Sequence, residues 1–241
     1  MNRAFLALGV VFLLSSCAAV SDEVRPVSPD DAGQEVVPDI DSQLAPETAE
    51  STPDQPTEEW PRFAELRFEG TGDDVIILER PIDTIAIGTA EGTTELRQFA
   101  IWLLDRNGDY IDLPVNTISP YTGTFLLEGF DEPVWAFEVT ATGPWNLTIR
   151  DLNQAPKISI GERFSSIGDT VFTVSPTSGL TTMTLEGGDP DRQIAVWSYG
   201  SSTDLLVNTI SPYSGTVRID SGTEVFAVTA TGKWELVISG P

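Results

Sequence analysis

The chain is predicted to be all-β, with two tandem β-sandwich modules of an Ig-like or jelly-roll-like kind, and three observations predict it. First, ten residues occur twice almost unchanged. Val115-Asn116-Thr117-Ile118-Ser119-Pro120-Tyr121-Thr122-Gly123-Thr124 returns as Val207-Asn208-Thr209-Ile210-Ser211-Pro212-Tyr213-Ser214-Gly215-Thr216. Second, the repetition continues on both sides. Gly72-Asp73-Asp74-Val75 matches Gly168-Asp169-Thr170-Val171, Gln98 to Trp102 matches Gln193 to Trp197, and Val139 to Gly143 matches Val228 to Gly232. The offset falls along the chain from 96 to 95 to 92 to 89, so the copies differ by small loop deletions. A period near 90 exceeds the 20–50 residues of a solenoid unit and is the size of a domain. Third, nothing after residue 60 sustains a 3.6-residue period. Short runs of Val, Ile, Thr, Phe and Trp are instead punctuated by Gly, Pro, Asp and Asn, the pattern of strands and turns.

Taken in order, copy one should form strands near Glu65–Phe68, Val75–Glu79, Thr84–Gly88, Arg97–Leu104, Gly123–Leu127, Val134–Thr140 and Trp145–Ile149, with a short one at Tyr110–Leu113. Copy two should repeat them at Ile158–Gly161, Val171–Val174, Thr181–Leu185, Gln193–Tyr199, Val217–Asp220, Val225–Thr229 and Trp234–Ile238. Phe99, Ile101 and Leu103 alternate with Ala100, Trp102 and Leu104. Both faces are apolar, as in a central, covered strand. Leu147 and Ile149 alternate with Asn146 and Thr148, which leaves one face wet. Asn107-Gly108 between apolar runs predicts a hairpin with positive φ at both central residues. Seven or eight strands at this spacing suit a sandwich.

Residues 1–16 read as a signal peptide. Arg3 is the positive n-region, and Ala4 to Leu14 is too short an apolar run to span a bilayer. Leu14-Ser15-Ser16-Cys17 then resembles the bacterial lipobox, which implies cleavage before Cys17 and acylation of its thiol. Several acyl chains, at about 0.8 kcal/mol per buried CH₂, hold a protein on a membrane where one does not. Cys17 is the sole cysteine, so once lipidated it leaves no disulfide and each module must rest on its own core. Residues 17–59 form a linker. From Ala18 to Glu59 it has no aromatic residue, six prolines, and twelve acidic residues against Arg25 alone, so it cannot bury enough apolar surface to fold. A flexible chain of that length spans roughly 35–40 Å. Trp60-Pro61 opens module 1 (60–152), and module 2 occupies 153–241. Ala18 after the cysteine, in place of Asp, leans toward an outer membrane in a diderm host; otherwise the outer face of the cytoplasmic membrane is expected.

Charge and composition exclude several functions. The net charge is −24, and from Trp60 onward eleven basic residues face twenty-five acidic ones, so phosphate backbones would be repelled and no nucleic-acid partner is expected. Histidine is absent, which removes Ser-His-Asp catalysis and His-containing metal sites. Carboxylate pairs, as in glycosidases, are the remaining acid–base route. No carboxylate-centred motif stands out, so no catalytic residue, metal or cofactor is assigned. Asp105-x-Asn107-Gly108-Asp109 resembles part of a calcium loop but lacks the downstream bidentate Glu, and a plain turn is favoured.

The residues shared by both copies suit a shared fold first. Tyr121 and Tyr213 fit a sandwich-corner tyrosine bonded to backbone, with a ligand loop as the second reading. Asn116 and Asn208 fit turn acceptors, and the Trp pairs 102/197 and 145/234 fit the core. Differences between copies point more directly to binding. Trp135 stands opposite Glu224, and Tyr110 and Phe130 lack clear counterparts. An exposed Trp or Tyr stacks on sugar or anchors an interface, whereas a Trp135 packed on the neighbouring module would be structural.

The Gly-Asp-x-Val entry, the Trp-bearing middle strand, the Val-Asn-x₄-Tyr-x-Gly-Thr loop and the closing Val-x-Ala-x-Gly-x-Trp resemble tandem β-sandwich repeats of bacterial exported proteins and lipoproteins. The resemblance covers nearly all of the chain from about Arg62. It implies architecture and location, and no enzymatic activity. The expected function is a non-enzymatic, lipid-anchored envelope protein that binds or scaffolds through protein contacts. The alternative is a carbohydrate-binding module for cell-wall or extracellular glycan. Its candidate ligand-binding residues are Trp135, Tyr110, Tyr121 and Tyr213.

Overall fold

A computed structural model of the chain describes residues 63–93, 98–128 and 132–241. The expected signal peptide, Cys17, the expected linker, Trp60 and Phe130 lie outside the described residues. Module 1 contains β1 (Leu66–Thr71), β2 (Asp74–Ile82), β3 (Ala86–Gly92), β4 (Phe99–Leu104), β5 (Tyr110–Thr117), β6 (Tyr121–Leu127), β7 (Val134–Thr140) and β8 (Pro144–Asp151). One 3₁₀ turn, Leu152–Gln154, leads into module 2. That module contains β9 (Arg163–Ile167), β10 (Thr170–Thr173), β11 (Thr181–Gly187), β12 (Ile194–Gly200), β13 (Thr203–Thr209), β14 (Tyr213–Ile219), β15 (Thr223–Ala230) and β16 (Lys233–Ser239).

Strand order settles the choice of sandwich. Module 1 has sheets β1-β8-β3-β6 and β2-β7-β4-β5, and module 2 has β9-β16-β11-β14 and β10-β15-β12-β13. Strands 1 and 8, 2 and 7, 3 and 6, and 4 and 5 pair antiparallel. The eight strands thus make one long hairpin of four pairs rolled into two sheets, the jelly roll, and not the seven-strand Ig arrangement.

Each module buries its own core. Phe99, Ile101, Leu103, Phe137, Trp145, Leu147 and Ile149 fill the first, and Phe172, Met183, Val196, Phe226, Trp234, Leu236 and Ile238 the second. The tryptophans Trp145 and Trp234 are core residues as expected, each 2% exposed. Trp102 and Trp197 are not. Both point from the middle strand to the outer face of their sheet, and Trp197 is 37% exposed. The doubly apolar pattern of β4 therefore marks an outer face that is itself apolar.

Three further readings are corrected by position. Ile158–Gly161 forms no strand; it is a turn in which Glu162 N donates to Ser159 O at 3.0 Å, and Ile158 is core. The first strand of module 2 is instead β9, a modest Ser-bearing run. Tyr110–Leu113 extends to Thr117, past Pro114, which an edge strand tolerates. Its counterpart β13 escapes an alternation test because Leu205-Leu206 straddles a bulge, where the register shifts between Val196 and Trp197. The Asn107-Gly108 hairpin is present, but only Gly108 has positive φ, at 84°. Asp105 Oδ1 accepts from the amides of Asn107 and Asp109 at 2.8 Å, and this Asx turn replaces the second left-handed residue.

Candidate functional site

The outer faces of the sheets, not the loops, carry the informative differences. In module 1 the outward residues of β3 and β6 include Ile87, Thr124 and Leu126, which alternate with the inward Ala86, Ala90, Phe125 and Leu127. Ile87 and Leu126 join Leu152 and Ala155 of the connector and Val171 and Val225 of module 2 in a third buried cluster, with Ile85, Tyr199 and Ala227 against it. The two modules are thus packed together: the β3/β6 face of module 1 covers the β10/β15 face of module 2.

Polar contacts fix the register of this junction. Thr124 N donates to Asp169 O at 3.0 Å, and Val171 N donates to Thr124 Oγ1 at 2.8 Å. The Tyr121 hydroxyl donates to Asp169 Oδ2 at 2.9 Å, while Ala230 N donates to Oδ1 of the same carboxylate at 2.9 Å. Burial raises the Asp169 carboxyl, and burial beside that carboxylate pushes the Tyr121 phenol up. Tyr121 therefore stays protonated and donates. Tyr199 OH adds a bond to Glu128 Oε1 at 2.6 Å. Gly123 is required here, since a β-carbon would lie 2.7 Å from the Tyr121 hydroxyl and 3.0 Å from Asp169 Cβ.

Module 1 has the same acceptor face, and there it is open. Asp73 corresponds to Asp169, and its Oδ1 likewise accepts the amide after β7, Ala141 N, at 2.9 Å. Val75 corresponds to Val171; the first is 54% exposed and the second 1%. Next along β2, Ile77 is 79% exposed. A shallow groove of about 380 Å³ runs along Asp73, Asp74, Val75, Glu138, Val139 and Thr140. Across the same face, Trp102 and Tyr110 pack with ring centroids 4.6 Å apart, and Tyr110 OH donates to Glu138 Oε2 at 3.1 Å, which raises its phenol.

The candidate residues thus separate. Tyr110 joins Trp102 and Glu138 on the open face and is 59% exposed. Trp135 is half-buried at the start of β7, with the Arg106 guanidinium 5.2 Å over its ring, and it is not part of the cluster that joins the modules. Tyr121 is a junction residue whose hydroxyl meets a side chain of the other module, not backbone. Tyr213 holds the same pose in module 2, its hydroxyl over Gly215. Asn116 and Asn208 accept from Gln98 and Gln193 at 3.2 and 3.1 Å, bonding across strands and not within a turn. Asp105, buried in its hairpin, is held below the usual carboxylate range, first by the Asp109 amide, and Asn107 Nδ2 donates to its Oδ2 at 3.0 Å. Its oxygens face N–H donors, the opposite of what a cation site needs. Asp73 and Trp102 lay in repeated motifs that suited the shared fold, and no motif pointed to Glu138, Ile87 or Leu126. Comparing outward positions of the two copies would have found them.

No protein-family model matches the chain, and no curated protein matches it. Among solved structures, it is similar to a triple-jelly-roll turret protein of an archaeal virus at 10% identity and TM-score 0.28, over 70% of this chain and 52% of that one. It spans about half of that protein's length. A223, a turret protein of Sulfolobus turreted icosahedral virus, is 14% identical with TM-score 0.23, over 73% and 96% of the two chains. The PBSX exported protein XepA is 12% identical with TM-score 0.25, over 76% and 87%.

Proposed function

We propose that this is a lipid-anchored cell-envelope protein whose jelly-roll pair binds or scaffolds without catalysis, through the open sheet face of module 1. The observation that carries the reading is the contrast between two equivalent faces. One is sealed by the neighbouring module; the other exposes Val75, Ile77 and Tyr110 around a groove. Exposed apolar surface of that kind marks interaction sites. The lipobox around Cys17 and the acidic tether would place this face tens of ångströms from a membrane, on the outer membrane of a diderm host or the outer face of a cytoplasmic membrane.

Glycan binding is the second reading, favoured by the Trp102–Tyr110 pair beside the Glu138 carboxylate. Aromatic faces stack on sugar rings, and a carboxylate accepts from hydroxyls.

The full chain, expressed in a bacterial host and fed labelled palmitate, should incorporate label and stay with membranes in high salt. Cys17→Ser should lose both, and a labelled or membrane-bound Cys17→Ser chain contradicts the anchor. Co-sedimentation of the same chain with peptidoglycan and insoluble polysaccharides, abolished by Trp102→Ala, would favour glycan over protein.

A further inference from the structure

We propose that the occupant of the open face is a second copy of this chain, whose module 2 docks on module 1 in the way that module 1 docks on module 2. The proposal rests on the scaffolding reading above and names its partner. Four correspondences carry it. The Tyr-x-Gly-Thr segment that seats module 1 on module 2, Tyr121 to Thr124, is repeated in module 2 as Tyr213 to Thr216. There Thr216 is exposed, and the Tyr213 hydroxyl lies 2.7 Å from where a Gly215 β-carbon would sit, the same distance as for Tyr121 over Gly123. The acceptor that receives it, Asp169-x-Val171, is repeated in module 1 as Asp73-x-Val75, with Asp73 Oδ1 already engaged as in Asp169.

The apolar centre of the junction changes in step on both sides. Leu126, buried in the cluster, becomes Arg218 on the outer face of β14; Ala227, packed against the same cluster, becomes Glu138 on the open face. A leucine and an alanine inside the chain thus become an arginine and a glutamate between chains, of complementary sign. Arg218 is exposed and pairs with nearby Asp220 at 2.5 Å, a surface contact of little energetic weight that docking can exchange. Around this pair each surface exposes apolar side chains. Val75 and Ile77 stand on the acceptor side, and Leu180, which corresponds to Ile85 of the sealed junction, is 74% exposed on the donor side.

The contact is head-to-tail, with different surfaces on the two partners, so it does not close on itself and extends into a row of chains. Charge pairs at such a junction fix register and partner choice more than affinity. Anchoring every chain to one membrane would raise the effective concentration of its neighbours.

Cysteine cross-linking in the full membrane-bound chain tests this directly. Val75→Cys with Thr216→Cys places thiols at the positions equivalent to Val171 and Thr124, which are neighbours within the chain, the Val171 amide N lying 2.8 Å from Thr124 Oγ1. Mild oxidation should give a ladder of multiples of the chain's own mass on a non-reducing gel. Thr124→Cys with Val171→Cys should close inside one chain and run as monomer, and the parent chain with Cys17 alone should give no ladder. Adding Glu138→Arg should cut the ladder by about tenfold or more, since two like charges would then oppose docking. Adding Arg218→Glu to that variant should restore it. No ladder while the internal pair closes, a ladder indifferent to Glu138→Arg, or coupling of the Val75→Cys thiol to a different polypeptide would each overturn the proposal. Palmitate labelling in the same cells tests the anchor separately.

Discussion

Replacing Trp145 or Trp234 by alanine should destabilise the module that carries it by about 3–5 kcal/mol, the range for large aromatic truncations in a packed core. The two indoles play one role twice. Each is 2% exposed, and each Nε1 donates at 2.9 Å to the carbonyl of the glycine that opens the next turn, Gly72 O or Gly168 O. Each therefore closes the last strand of its module over the β1–β2 or β9–β10 corner. Phe164 packs edge-on against Trp234 with centroids 5.8 Å apart. Truncation leaves a cavity and removes the indole donor from that carbonyl together, against a domain stability of only about 5–15 kcal/mol. Urea denaturation followed by far-UV circular dichroism should show a large fall in midpoint for either variant. A fall under about 1 kcal/mol would mean that the indoles do not bear on the cores.

Leu126→Arg should separate the modules without unfolding either one. Leu126 is 6% exposed in the chain, but only because module 2 covers it; within module 1 it lies on the outer face of β6. Module 2 already carries arginine at the equivalent place, where Arg218 is solvated, so the strand accepts it. At the junction the guanidinium would be forced among Val171, Val225 and Ala227, and burying a charge in apolar surroundings costs several kcal/mol. Thermal unfolding of the parent should be one cooperative transition. The variant should show two, and adding Ala227→Glu, which recreates the Arg218 and Glu138 combination, should draw them together again. A single unchanged transition would show that the cluster does not couple the modules.

Much of the fold was legible because the repeat served as its own control. Two copies of one pattern fix module size, and the turn residues mark most strands. What the pattern left open was which sheet face is dry. Alternation shows that Trp102 and Leu103 point opposite ways, but it cannot tell a core from an apolar outer face. A core reading of Trp102 and Trp197 fails for that reason, while the same reading holds for Trp145 and Trp234. The β13 bulge and the turn at Ser159–Glu162 escape for a related reason, since each breaks a period of two at a place where packing decides. The site was the least legible part. Tyr121 and Asp169 are 48 residues apart, and only the packing of module 1 on module 2 brings them together. Glu138 and Leu126 look like ordinary strand residues until set beside Ala227 and Arg218. The readings of Cys17 and the acidic tether rest on sequence chemistry alone.

Amide hydrogen exchange of the unmodified chain tests the central claim most directly, because Val75 and Val171 are equivalent residues on equivalent strands. Val171 N donates to Thr124 Oγ1 beneath the neighbouring module, whereas Val75 N donates to the exposed carboxylate of Asp74, at 2.8 Å. With the chain dilute in detergent, Thr124 and Val171 should exchange slowly, at a rate set by opening of the junction, and Val75 should exchange far faster. Equal, rapid exchange at Val75 and Val171 would mean that the junction is not formed in solution, and the account of one sealed and one open face would fail with it.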